Sequence, residues 1–140
     1  MADPVVFDSG LSVFKVTDTG AVERDISDYI VSLEGLPGPR ELNDATTLNQ
    51  TGRKWHPTLQ NATITLELVY SEDALVGTDT VLGPLRTHTA AVAFKYYPRG
   101  TSGKYYSGNL WVRDYRITTR VGSIVMARAD LQVDGVVGRT

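Results

Sequence analysis

The side chains with catalytic or ligating potential are few and scattered. His56 and His88 stand 32 positions apart, and neither neighbours a cluster of carboxylates. A metal centre needs three or four convergent ligands, and no spacing here gathers them. The 140 residues include no cysteine, which removes disulfides, thiolate metal sites and cysteine nucleophiles together and fits a reducing compartment. The serines in FDSGL and VGSIV lack the pattern of a nucleophile elbow. PRGTSGK ends like a phosphate loop at Gly103-Lys104, but that motif needs glycine where Pro98 stands and serine or threonine where Tyr105 stands. It reads instead as a hairpin turn, and Glu72-Asp73 reads as a solvated surface turn. The sequence therefore points away from an enzyme and implies no metal and no cofactor.

What remains is charge. Arg113, Arg116, Arg120 and Arg128 lie near Tyr105, Tyr106, Trp111 and Tyr115, a mixture that can build a single-strand nucleic-acid platform. Asp114, Asp130 and Asp134 dilute it, and a pI of about 5.6 lacks the basic footprint of a nucleic-acid binder. The net charge of −2 conceals an asymmetry. Residues 1–79 hold 13 acids and 5 bases, whereas residues 80–140 hold 3 acids and 9 bases. Either these charges mix on the folded surface, or acidic and basic faces pair head to tail between copies.

The elements that position these charges are strands. LSVFKVT (11–17) and DYIVSLEG (28–35) are short, rich in β-branched residues and bounded by turn formers. In ATITLELVY (62–70), Ile64, Leu66, Leu68 and Tyr70 share one face, and Thr63, Thr65, Glu67 and Val69 the other, the pattern of a half-buried antiparallel strand. Residues 71–88 hold the one helical segment; Thr78 or Asp79 caps it, Val81, Leu82 and Leu85 face inward, and Pro84 keeps it short. TAAVAFKYY (89–97) precedes a long final hairpin. Strict alternation there puts Trp111, Arg113, Tyr115 and Ile117 on one face, with Val112, Asp114, Arg116 and Arg120 opposite. On its second strand Val125, Ala127, Ala129, Leu131 and Val133 face one way and Arg128, Asp130, Gln132 and Asp134 the other. The expected class is mainly β: one antiparallel sandwich or barrel domain over 1–140, with one short α-helix. An N-terminal arm (1–10) carries neither a secretory signal nor, like the rest of the chain, an apolar run of the ~18 residues that span a membrane.

GPRELNDATTLNQTGRKWH (38–56) interrupts this pattern with no strand alternation and no helical stripe. Structureless loops beyond about 12–15 residues are uncommon inside compact domains. The whole segment 36–61 is therefore expected to act between molecules.

Taken in order, DISDYIVSLEG, the acidic loop with its threonine pair NDATTLNQTG, TITLELVYSEDA running into a short helix, and the closing ITTRVGSIVMARADLQVDGVVGRT resemble the major tail tube protein of long-tailed, siphovirus-like bacteriophages or of a related phage-tail-like particle. Gly83-Pro84 departs from that pattern by shortening the helix. The resemblance implies hexameric rings stacked into a hollow tube that DNA passes through, with the long loop reaching the next ring. It places inter-subunit contact on Arg40, Glu41, Asp44, Arg53, Lys54 and Trp55. A charged face of Arg113, Asp114, Arg116, Arg120, Arg128, Asp130 and Asp134 either pairs between subunits or lines the lumen. The implied partners are other copies and further tail proteins: tape measure, terminator and baseplate or tip. The implied location is the virion tail, assembled in the host bacterial cytoplasm. A tail terminator, a head decoration protein, a contractile-type tube subunit and a small ligand-binding barrel are the alternatives.

Overall fold

A computed structural model describes residues 9–140. The N-terminal arm expected at 1–10 thus lies almost wholly outside the described residues; Ser9–Leu11 form one 3₁₀ turn. Nine strands, one α-helix and a second 3₁₀ turn (Ser27–Tyr29) follow among the described residues: β1 (Val13–Thr17), β2 (Glu23–Asp25), β3 (Ile30–Glu34), β4 (Arg40–Asp44), β5 (Trp55–Gln60), β6 (Thr63–Val69), α1 (Thr78–Leu85), β7 (Val92–Tyr97), β8 (Tyr106–Thr118) and β9 (Met126–Arg139). Seven strands form one antiparallel sheet in the order β2-β1-β7-β8-β9-β6-β3. Phe14 and Val16 near one end and Ile64, Leu66 and Leu68 near the other join a single core, so the sheet curls over its own apolar face. Among the described residues it does not close: β2 and β3 are not paired, and of sandwich or barrel, no closed barrel is found.

The alternation in β6 is realised, with Ile64, Leu66 and Leu68 fully buried. The helix starts one residue from where its caps were expected. Gly77 is the N-cap and makes no side-chain capping bond, while Thr78 is buried and donates through Oγ1 to the Val69 carbonyl at 2.7 Å. That bond ties the helix to the end of β6. Val81, Leu82 and Leu85 are buried, and Pro84 sits in the last turn. Beneath α1 the Tyr115 hydroxyl is buried beside Asp79. Burial, then the nearby Asp79 carboxylate, holds its ionisation above the ordinary tyrosine range.

Three expectations need correction. Residues 40–44 and 55–60 are not irregular: β4 and β5 pair as a separate two-stranded hairpin. Their lack of alternation has a physical cause, since no residue of either strand is buried on either face. Next, Trp111 and Tyr115 do not share a face. The register shifts between Val112 and Asp114, leaving Arg113 as an extra residue, and a bulge of this kind reverses the side-chain phase beyond it. Leu110 and Val112 are buried, and Tyr115 then takes up the core side. Finally, the last strand, which the sequence pattern ends in an Asp-Gly turn, runs on past Asp134-Gly135. Gly135 has φ +87° at a second shift of register, and β9 continues to Arg139.

Candidate assembly surfaces

From Pro37 to Asn61 every residue is exposed, yet the root of this arm is tightly built. Gly35 and Gly38 have positive φ, and a Cβ on Gly35 would stand 2.0 Å from the Thr63 carbonyl oxygen. The Gln132 amide nitrogen donates to Asn61 Oδ1 at 2.8 Å, and the Val133 amide to the Ala62 carbonyl at 3.0 Å. Beyond the root, contacts within the hairpin hold the strands. Arg40 opposes Gln60, and Glu41 falls where the register shifts. Asp44 opposes Trp55 and forms an ion pair with Arg53, and the Lys54 amide donates to Thr46 Oγ1 at 2.9 Å. Hydrogen bonds from Thr46, with a further one from Arg53, hold the Asp44 carboxyl below the usual aspartate value. Thus Asp44 and Arg53 clamp the arm to itself. Leu42, Leu48, Trp55 and Leu59 remain exposed large apolar side chains.

The second charged group assembles on the outer face of β8, β9, β6 and β3. Arg116 opposes Arg128, which opposes Glu67. One step along the strands, Asp114 opposes Asp130, which opposes Thr65, which opposes Glu34. A basic pair therefore lies beside an acidic row. Like charges directly opposite one another are unfavourable, and Arg116 relieves this in part by bonding Asp114 through Nε at 2.9 Å. Arg113 is exposed on the bulge, and Asp134 lies apart, opposite Asn109. Arg120 stands with Arg128 beside a groove at the β8–β9 tip. Charges from the two halves of the sequence meet here, as they do where Lys95 pairs with Glu23 at 3.6 Å.

Sequence reasoning missed Glu34 and Glu67 as members of this face, because only the pairing of β3, β6 and β9 aligns them. It also missed Ile117, Val121 and Ile124 at the hairpin tip, all exposed. Their signal was available: an apolar residue on either side of a Gly-Ser turn has no core to enter. Among the described residues, no three histidine, aspartate or glutamate side chains gather as metal ligands. No helix there is long and apolar enough to cross a membrane.

This architecture is shared with solved structures. The tail of an empty gene transfer agent particle, refined with C6 symmetry, superposes with a TM-score of 0.76 at 13% identity, covering 96% of this chain and 99% of that one. The chain has the tail-tube fold. The tail tube of SPP1 matches at 0.73 and 12% identity, covering 96% of this chain and 79% of that one. The tube-terminating cap of the anti-feeding prophage matches at 0.67 and 11%, covering 100% and 94%. No protein-family model matches the sequence, and no curated protein matches it.

Proposed function

We propose that this chain is the structural subunit of a hollow phage-tail-type tube, in which copies join side by side into six-membered rings and the rings stack. The observation that carries this reading is a pair of open sheet edges. Among the described residues, β7 covers β8 only from Tyr106 to Leu110, which leaves Trp111–Thr118 with no neighbour on that side, and β3 has none beyond it. Unpaired strand edges are templates for another chain. The opposite edge of the sheet, β2, has only three residues, and Arg24 there is paired with Asp18 at 2.9 Å.

Four antiparallel strands, β8-β9-β6-β3, separate the two open edges. Because four is even, the edge strands run in opposite senses. Copies repeated side by side in one orientation therefore bring β8 of one against β3 of the next as an antiparallel pair. Six copies supply 24 strands, and at about 4.8 Å per strand they close a circle roughly 37 Å across before tilt widens it. The core side of these strands already carries α1 and the rest of the sheet, so closure turns the charged face inward. A lumen of alternating acidic and basic rows lacks the uniform positive charge that grips phosphates, which suits transient passage of DNA. In this reading the protein resides in a virion tail assembled in the host cytoplasm, alongside tape-measure, terminator and tip proteins, and its role is architectural rather than catalytic.

Negative-stain electron microscopy of the purified protein, dilute and then concentrated, tests this. Hollow tubes with a regular axial repeat are expected. Single closed rings at every concentration would favour a terminator, a role that the prophage cap fills with the same fold. Monomers at every concentration would contradict ring formation.

A further inference from the structure

Three arginines of the final hairpin gather at one end of its outer face. Arg116 opposes Arg128 across β8 and β9. Arg120 follows just beyond Thr118, where β8 ends, and stands with Arg128 on the rim of a groove of about 440 Å³. All three are exposed. Among the described residues neither Arg120 nor Arg128 forms an ion pair, while Arg116 bonds Asp114 through Nε alone. Like charges directly opposite one another are unfavourable, and an anion shared between such guanidinium groups removes that penalty.

The groove itself indicates what that anion is attached to. Ile124 and Met126 give it an apolar floor, Thr118 and Ser123 add hydroxyl groups, and Glu67 lies on the rim with the arginines. Its volume falls within the roughly 300–1,000 Å³ of small-molecule sites. Guanidinium forks match the oxygens of a phosphate, and an apolar floor accepts the flat face of a base. We propose that the groove binds a segment of single-stranded nucleic acid. One phosphate sits between Arg120 and Arg128, its base lies over Ile124 and Met126, and the next phosphate reaches the terminal amino groups of Arg116. A free nucleotide fills the groove alone, whereas the third arginine, outside it, favours a chain of phosphates.

The site is complete within one chain, so it does not depend on ring formation. It is also local. Asp114 and Asp130 begin the acidic row one step along the strands, which confines a bound strand to the hairpin tip. The tyrosines that the sequence sets near these arginines are elsewhere. Tyr106 opposes Arg139 at the other end of the hairpin, Tyr105 packs on Tyr97 with ring centroids 4.9 Å apart, and Tyr115 turns to the core. The base therefore meets aliphatic side chains rather than the aromatic platforms that give tight single-strand binding. Most of the affinity is electrostatic, and binding is weak and sensitive to salt.

Fluorescence anisotropy of a short labelled oligothymidine with the dilute subunit tests this. Raising salt from about 50 to 200 mM should weaken binding roughly tenfold, as expected for two or three phosphate contacts on a single strand. An Arg120→Gln, Arg128→Gln double variant should bind about tenfold more weakly and lose most of that salt dependence. Both side chains are exposed, so an unchanged melting temperature would verify its fold. Ile124→Asp should weaken binding as well, and Arg139→Gln, at the other end of β9, should bind like the wild type. Wild-type affinity in the double variant, an equal loss from Arg139→Gln, or no binding at the lower salt would overturn the site. Thymidine monophosphate competing as well as the oligonucleotide would overturn the assignment to a strand. None of these outcomes bears on the tube reading, which electron microscopy tests separately.

Discussion

β5 and β6 are separated by two residues, Asn61 and Ala62, yet one is entirely exposed and the other is central to the core. In β6 every second side chain enters the core, and burying each Ile or Leu contributes roughly 1.5–3 kcal/mol. Two ladders flank it, one to β3 and one to β9. β5 has one ladder, to β4, and no apolar burial on either face. Strand geometry in β6 is thus a consequence of packing. In β5 it rests on exposed bonds within the hairpin, which water readily competes with. The contrast separates what folds the subunit from what its own described residues leave uncovered.

The largest break in that contrast comes from the core side. Leu66→Ala removes a fully buried side chain and should cost about 3 kcal/mol, lowering the calorimetric melting temperature by roughly 10 °C. The root of the arm should behave like core although the arm does not. Gly35→Ala places a Cβ against the Thr63 carbonyl at φ +106° and should cost about 2 kcal/mol by denaturant titration. A loss under about 0.5 kcal/mol would show that the root is loose.

Two aspartates with depressed ionisation sharpen the comparison. Asp18 accepts hydrogen bonds from the Val22 and Gly20 amides and from Arg24, led by Val22, and its pKa is lowered. A lowered carboxylate stabilises the fold above its ordinary value near 3.8 and loses that effect as pH falls through the lowered one. Asp18→Ala should therefore cost about 1 kcal/mol at neutral pH, with the wild-type and variant melting curves converging in acid. Asp44 in the arm is lowered by similar local bonds, yet Asp44→Ala should leave melting of the dilute subunit unchanged. Smallest of all on stability is Trp55→Ala, within about 0.5 kcal/mol, although tube yield by sedimentation should fall sharply. A melting loss comparable to that of Leu66→Ala would place Trp55 in the subunit core.

The same division governs what was legible in the sequence. Ile64, Leu66 and Leu68 announce β6, and Ala127, Ala129 and Leu131 announce β9, because a one-sided core writes period-two alternation into a strand. Leu42, Trp55 and Leu59 write no such pattern, since neither face of the arm has a core to match, so a hairpin read as a loop. The face reversal at Arg113 was hidden for another reason: a single inserted residue changes phase without changing composition. The grouping of Glu34, Thr65, Asp130 and Asp114 into one row depends on which strands are neighbours, which alternation within one strand does not encode. The length and polarity of the long segment raise the expectation that it acts between molecules, while the position of the exposed β8–β9 tip at the other end of the strands required the sheet order.

Amide hydrogen exchange across residues 40–60, compared between dilute subunits and assembled tubes, tests the central claim most directly. The account predicts that arm amides exchange quickly in the dilute subunit while those of β6 and β9 stay protected, and that assembly slows the arm by orders of magnitude. Equal protection of the arm in both states would contradict it, because the hairpin would then be ordered by its own chain.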